Sequence, residues 1–253
     1  AALGGTGSYI GKVHADELGS SFYSDLSTLG ISFETEPTID GLPTARCLIL
    51  VTSDGQRTMA TYLGACRDLS PEDINPTSIH NHQVTYLEGY LWDTNQAKQA
   101  MLKASQLAHN SNRKVALSLS DTFCVERHRK SFQELVEEHV DILFANSDEI
   151  LSLYEESSIY NAINIARQSC DILVVTLGAK GSIITAKDES YQIEAKPIKK
   201  VIDTTGAGDL FASGFLFGHT HGYNIQTSGN LGSSASASVL SHLGARPEKN
   251  LAH

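Results

Sequence analysis

The sequence predicts a three-layer α/β/α fold around a mostly parallel central sheet. Three observations predict it. Short β-branched or apolar runs alternate with longer helical patterns, the rhythm of a sheet covered by helices. The length, 253 residues, suits one α/β domain with a core that needs no disulfide or metal. A Gly-Ala-Gly turn at Gly206-Ala207-Gly208 joins a β-branched strand end to an apolar helix, a junction typical of such folds.

The elements follow in order. Residues 9–13 read as a strand, and 16–29 as an amphipathic helix with Leu18, Phe22, Leu26 and Leu29 on one face and Gly30 as its C-terminal stop. Residues 31–36, 46–51 and 57–62 read as three short strands separated by turn signals at 37–43 and at Ser53-Asp54-Gly55. With no helix between them they form an antiparallel flap, a lid inserted at about residues 31–62. Ser70-Pro71-Glu72-Asp73 opens a short helix with a Ser cap and Pro at the first position. Strands are expected at 84–87, 115–119, 142–145 and 172–177, and helices at 94–110, 125–138, 147–154 and 159–169. Residues 181–186 and 191–195 form a hairpin. Helices from 209 to about 218 and over 226–242 close a single domain spanning 1–253.

Nineteen Lys and Arg against 29 Asp and Glu leave a net charge of −10. That argues against a nucleic-acid partner, which needs a basic face, but leaves room for a phosphate pocket made by local geometry. Cys47, Cys66, Cys124 and Cys170 include no CxxC pair, the usage of a reduced, cytoplasmic chain. No apolar run reaches the ~18 residues of a membrane span, so no membrane partner is expected. The start carries no secretory signal pattern.

The segment richest in chemistry is Val201-Ile202-Asp203-Thr204-Thr205-Gly206-Ala207-Gly208-Asp209. Its glycines let backbone N–H groups converge at a helix start, where unpaired donors and the dipole favour anions. Asp209 in the first turn points at the same space. A carboxylate beside an anion hole suits proton removal from an attacking hydroxyl while the hole receives a phosphoryl group. A purely structural turn accounts for the glycines as readily. A dinucleotide fingerprint, and with it a nicotinamide-dependent enzyme, would need a small residue at Phe211. A Walker A loop fails because Val13 follows Gly11-Lys12 and Thr6 stands at the first glycine.

The stretch 203–209 closely resembles the second signature of the ribokinase-like (PfkB) kinases, which phosphorylate sugar and nucleoside hydroxyls from ATP. The resemblance implies Asp209 as catalytic base and the Gly206, Ala207 and Gly208 amides as anion hole. Asn146-Ser147-Asp148-Glu149 is similar to the family's N-x-x-E motif, which implies Asn146 near the ATP phosphates and Glu149 holding Mg²⁺ through water. The same residues also read as a helix cap. Thr176-Leu177-Gly178-Ala179-Lys180-Gly181 resembles the strand-end turn of the nucleotide cleft, implying ATP contacts from Thr176, Gly178, Lys180 and Gly181; an ordinary β-turn is the other reading. Gly244-Ala245-Arg246-Pro247 resembles a stretch that, with Asp203 and Thr205, holds a monovalent cation such as K⁺. Ser233 falls by register on the helix passing the adenine, where small residues also allow close packing. Pro43-Thr44-Ala45 resembles the start of the lid, and such flaps often pair two subunits, which predicts a lid-mediated homodimer. Glu88, at a strand end near the acceptor pocket, would touch sugar hydroxyls or else be solvated.

The resemblance runs from Tyr9 to about Pro247. It begins after the family's first strand and its Gly-Gly-x-x-x-N segment, so the chain is expected to be an N-terminally truncated fragment. The expected activity is ATP- and Mg²⁺-dependent phosphorylation of a small-molecule sugar or nucleoside. The alternative is an inactive fragment that keeps a nucleotide site.

Overall fold

The computed structural model describes every residue except Asp54, Gln56, Asp188, Ala252 and His253. The chain opens with β1 (Ser8–Tyr9), α1 (Glu17–Thr28) and β2 (Ser32–Phe33). Asp16 caps α1 by accepting the Gly19 N–H at 2.8 Å. β1 and β2 pair in parallel and pack Tyr9 edge-on against Phe22 and Phe33. This corrects the three-stranded flap: β2 pairs with β1 in a separate two-stranded sheet rather than with the ribbon, and each of these strands is two residues long. The ribbon that remains is β3 (Arg46–Val51) antiparallel to β4 (Arg57–Tyr62). Of its expected turn, Asp54 lies outside the described residues, and Gly55 has φ +79°.

After the ribbon come two short 3₁₀ turns and α2 (Pro76–His80), then β5 (Val84–Glu88), α3 (Asn95–Asn110), β6 (Lys114–Ser118), α4 (Thr122–His139), β7 (Ile142–Asn146), α5 (Ser147–Tyr154), α6 (Ile159–Ala166), β8 (Ile172–Thr176), β9 (Ser182–Ala186), β10 (Glu189–Ile193), α7 (Ala207–Thr220) and α8 (Ile225–Val239). The Ser70-Pro71 start forms a capping box but only a single 3₁₀ turn. α4 begins earlier than its apolar pattern suggested, because Asp121 accepts the Cys124 N–H at 2.6 Å.

Six strands form one sheet in the order β10-β9-β8-β7-β6-β5, with β5 to β8 parallel and β9 and β10 antiparallel. Side chains alternate across it. Leu117, Leu143, Leu173 and Val175 meet the apolar faces of α3 to α6, while Ala116, Phe144 and Val174 meet Phe211 and Phe215 of α7. Each face of a parallel sheet must be covered, and here both are. α7 and α8 pack backbone to backbone: a Cβ on Gly214 would lie 2.6 Å from the Leu231 carbonyl oxygen, and one on Gly232 would lie 2.8 Å from that of Phe211. Among the described residues no helix is long and apolar enough to cross a membrane.

Candidate active site

Parallel strands deliver their C-terminal ends to one edge of the sheet, the usual place for a ligand in open α/β folds. Here that edge opens into a cavity of about 600 Å³. Its walls come from β5 and the turn after it (Tyr86, Glu88, Tyr90), the end of β6 (Ser118, Ser120), the β7–α5 junction (Asn146, Glu149), Thr176 and Gly178 after β8, and the turn Thr204–Asp209; Arg57 and Met59 of β4 line it from the ribbon.

A second cavity of about 440 Å³ adjoins it. Thr176, Gly178, Ala207, Gly208 and Phe211 line both. The two spaces therefore meet at the N-terminus of α7. They differ in chemistry. The first collects three carboxylates, Glu88, Glu149 and Asp209. The second is walled by Ala195, Pro197, Ile198, Val201, Ala237 and Leu240, with Ser233 and Lys196 as polar members.

The turn between them is held in shape by Asp203, which is buried. Its Oδ1 accepts the Thr205 N–H at 2.8 Å and the Thr205 hydroxyl at 2.6 Å, and its Oδ2 accepts the Gly244 N–H at 2.9 Å. Burial opposes its charge, but the Thr205 and Gly244 donors outweigh that and hold the carboxyl below its ordinary range. Gly206 then takes a left-handed φ of +78° against Ala245. A Cβ on Gly208 would meet nothing within 4 Å and would project into open space. The Ala207 N–H leans on the Thr204 carbonyl at 3.3 Å. The Gly206, Gly208 and Asp209 N–H groups have no acceptor among the described residues, as expected for a helix start. Asp209 thus contributes an amide to this cluster, which the Gly-Ala-Gly pattern alone did not suggest.

Asp209 is solvent-accessible, yet its accessible surface faces the walled cleft. Burial in that cleft pushes its carboxyl up, and Arg57 pulls it back. Glu149 is buried and pushed up to about 7, chiefly by desolvation, with the Asn146 N–H opposing. Glu88 is likewise pushed up to about 7 by burial, with Asp209 and Glu149 adding to the shift and the Ser120 hydroxyl opposing it. Glu88 is half-buried in the wall of the first cavity. Neighbouring Tyr86 and Tyr90 are raised as well, first by burial.

The other residues singled out in sequence divide. Asn146 and Glu149 form the reciprocal cap that one reading expected, and both also line the first cavity. Gly178 has φ +58°, and Gly181 passes so close to β10 that a Cβ would lie 1.9 Å from the Ile193 carbonyl oxygen. Lys180 is exposed and lines neither cavity. Ser233 lines the second cavity, but its hydroxyl donates to the Glu194 carbonyl at 2.9 Å and accepts the Lys196 N–H at 3.1 Å. Arg57, Ser120 and Tyr90 were missed. Their signal was positional: two follow the ends of parallel strands, and Arg57 follows the tip of the ribbon. Among the described residues no group of three or more His, Cys, Asp or Glu is placed to hold a metal. A cation that leans on one or two carboxylates and on substrate phosphate fits this donor set; an all-protein cage does not.

The family model described as "pfkB family carbohydrate kinase" matches residues 1–250. This chain belongs to the pfkB carbohydrate kinase family. Members of this family are phosphotransferases acting on sugars and nucleosides, and named relatives include 5-dehydro-2-deoxygluconokinase and adenosine kinase. The pfkB chain is similar to the adenosine kinase of Sinorhizobium meliloti, with 44% identity and TM-score 0.97 over 99% of this chain and 77% of that one. It is equally similar to a probable sugar kinase from Rhizobium etli, with 44% identity and TM-score 0.97 over 99% of this chain and 76% of that one. An uncharacterized sugar kinase of Archaeoglobus fulgidus is 26% identical over 250 residues, 96% of this chain and 95% of the relative. The fold is also that of a putative ribokinase II from E. coli, at 18% identity and TM-score 0.89 over 98% of this chain and 81% of that one.

Proposed function

We propose that this pfkB chain transfers the γ-phosphate of ATP to a hydroxyl of a sugar or nucleoside, with Asp209 as the base. The observation that carries this reading is the meeting of the two cavities at the α7 N-terminus. A phosphoryl group moving from one cavity to the other must pass Gly206, Gly208 and Asp209.

The apolar second cavity suits the flat base of ATP, and the turn residues Thr176, Gly178 and Gly181 suit its phosphates. The α7 amides, together with Ala207's backbone, receive the negative charge that develops during transfer. Asp209, its carboxyl raised by the cleft, accepts the proton of the attacking hydroxyl. Arg57 reaches the same space from the ribbon and offsets charge there. Glu149, buried at the mouth of β7, would hold Mg²⁺ through water, and the ion when bound neutralises phosphate charge. A monovalent cation would share the Asp203 carboxylate with the Thr205 and Gly244 donors and draw further on Thr205. Glu88 holds a hydroxyl of the acceptor.

The ribbon acts as a lid. Its inner face carries Arg57 and Met59 into the cavity, and closure excludes water that would otherwise hydrolyse ATP. Its outer face leaves Leu48 and Leu50 each 70% exposed beside Ala60 and Thr58, which suits pairing with a second copy of the chain.

The test is ADP release from MgATP in the presence of adenosine, D-ribose and a panel of related sugars. Acceptor-dependent ADP release supports the reading. Tight MgATP binding with no acceptor-dependent release from any of them would favour a nucleotide-binding module instead.

A further inference from the structure

Two strand ends are locked together on the acceptor side of the cavity. Ser120 follows β6 with φ +72°, a left-handed backbone that a serine adopts only at a cost. That conformation brings its hydroxyl toward β5 while keeping it 3.4 Å from the Ser118 carbonyl oxygen of its own strand. The hydroxyl donates to Glu88 Oε1 and accepts the Tyr90 N–H at 3.1 Å. The Tyr90 hydroxyl donates back to the Ser120 carbonyl at 3.4 Å. Gly89 lies between them so closely that a Cβ there would stand 2.7 Å from the Ser118 carbonyl oxygen and 2.8 Å from Ser120 Oγ. Strain of this kind persists only where the surroundings over-determine it. Here they are the Glu88 carboxylate, the Tyr90 N–H and hydroxyl, and the Ser118 hydroxyl, which accepts the Ser120 N–H at 3.3 Å.

We propose that Ser120 is a positioning residue: it fixes the Glu88 carboxylate by engaging Oε1 and leaves Oε2 to accept a hydroxyl from the acceptor. This rests on the reading that places Glu88 at the acceptor. Besides the Ser120 hydroxyl on Oε1, the carboxyl takes a backbone hydrogen bond from Gly89, and the lone pairs that remain make the site selective. An acceptor that presents a hydroxyl donor to Oε2 is held, whereas its deoxy counterpart leaves a half-buried carboxylate oxygen short of a donor. The Ser120 donor also opposes the burial that favours the neutral acid. The titratable and charged groups facing Glu88 are Asp209 of α7, Glu149 of α5, Tyr86 of β5, Tyr90, Tyr9 of β1, Cys124 of α4, and Arg57 of β4 across the cavity.

The experiment uses the full chain and Ser120→Gly, a change that suits a positive φ and removes only the hydroxymethyl group. Glu88 is followed by carboxyl-carbon NMR in glutamate-labelled protein, its signal assigned by loss in Glu88→Gln. In Ser120→Gly the melting profile is expected to be preserved and the Glu88 titration to move up by about one pH unit. For adenosine and D-ribose, the KM of whichever is turned over is expected to rise by at least about tenfold while the KM for ATP stays within about twofold. Adding Ser120→Gly to Glu88→Gln should bring no further loss. If Glu88→Gln changes the acceptor KM but the Glu88 titration is unmoved in Ser120→Gly, the proposal fails and the acceptor reading stands. An acceptor KM unchanged in Glu88→Gln overturns the Glu88 reading, and the proposal with it.

Discussion

Asn146 and Glu149 hold each other in a closed ring. The Asn146 N–H donates to Glu149 Oε2 at 2.8 Å, the Asn146 side-chain amide donates to Oε1 at 2.6 Å, and the Glu149 N–H donates to Asn146 Oδ1 at 2.9 Å. The pair both starts α5 and aims a buried carboxylate at the cavity. Asn146→Ala is expected to lower stability by about 1 kcal/mol through the lost cap. It should also weaken the response to Mg²⁺, because Glu149 loses its orientation. Urea unfolding and a Mg²⁺ titration of ADP release check the two halves separately.

Asp209→Asn keeps the shape of the α7 turn and removes the proposed proton acceptor. Turnover should fall by roughly 10²–10⁴-fold with ATP binding retained. Turnover within tenfold of the parent chain would show that another group is the base.

Two glycines two residues apart should behave in opposite ways. Gly206→Ala forces a side chain into a left-handed backbone and to within 2.7 Å of the Ala245 Cβ; a loss of at least about 1–2 kcal/mol of stability is expected. Gly208→Ala meets no protein atom within 4 Å, so the fold should be kept while the new methyl occupies space that the proposed function assigns to phosphate. Denaturant midpoints and the KM for ATP distinguish the two outcomes.

The pH dependence of stability has a definite sign. Glu88 and Glu149 are pushed up to about 7 in the fold, against about 4.3 in an unfolded chain. Between those values the folded state binds more protons, so stability falls as pH rises from about 4.5 to about 7. Asp16 works in the opposite direction. Held near 2, first by the Thr44 hydroxyl, it contributes stability above about pH 4 that is lost as pH falls toward 2. The melting temperature should therefore be higher near pH 5 than at pH 7.5. Glu149→Gln should flatten that slope, and an unchanged slope would show that Glu149 is not its source.

Much of the fold was legible in residue order. The helix at 147–154 and the ribbon strands at 46–51 and 57–62 match their expected bounds, because caps and alternation are local signals. The segment 31–36 was misassigned for the converse reason. Its apolar alternation suits any strand, and pairing in parallel with β1 rather than joining the ribbon is a non-local choice. Lys180 was grouped with its neighbours by proximity in sequence. The turn instead points it to solvent, while Gly178 on the same turn faces the cavities.

By itself, the sequence determined the layer order, the strand–turn–helix junction at 203–209 and the family resemblance that runs through it. These depend on spacing, glycine content and capping, all of which act over a few residues. Only the tertiary structure decided that Glu88, Glu149 and Asp209 share one cavity, that Arg57 crosses over from the ribbon to join them, and that Ser120 engages Glu88 from another strand. Those relations join residues 31 to 152 positions apart in the chain. Burial and charge repulsion, which set the protonation of the three carboxylates, exist only once the sheet has brought their strand ends together.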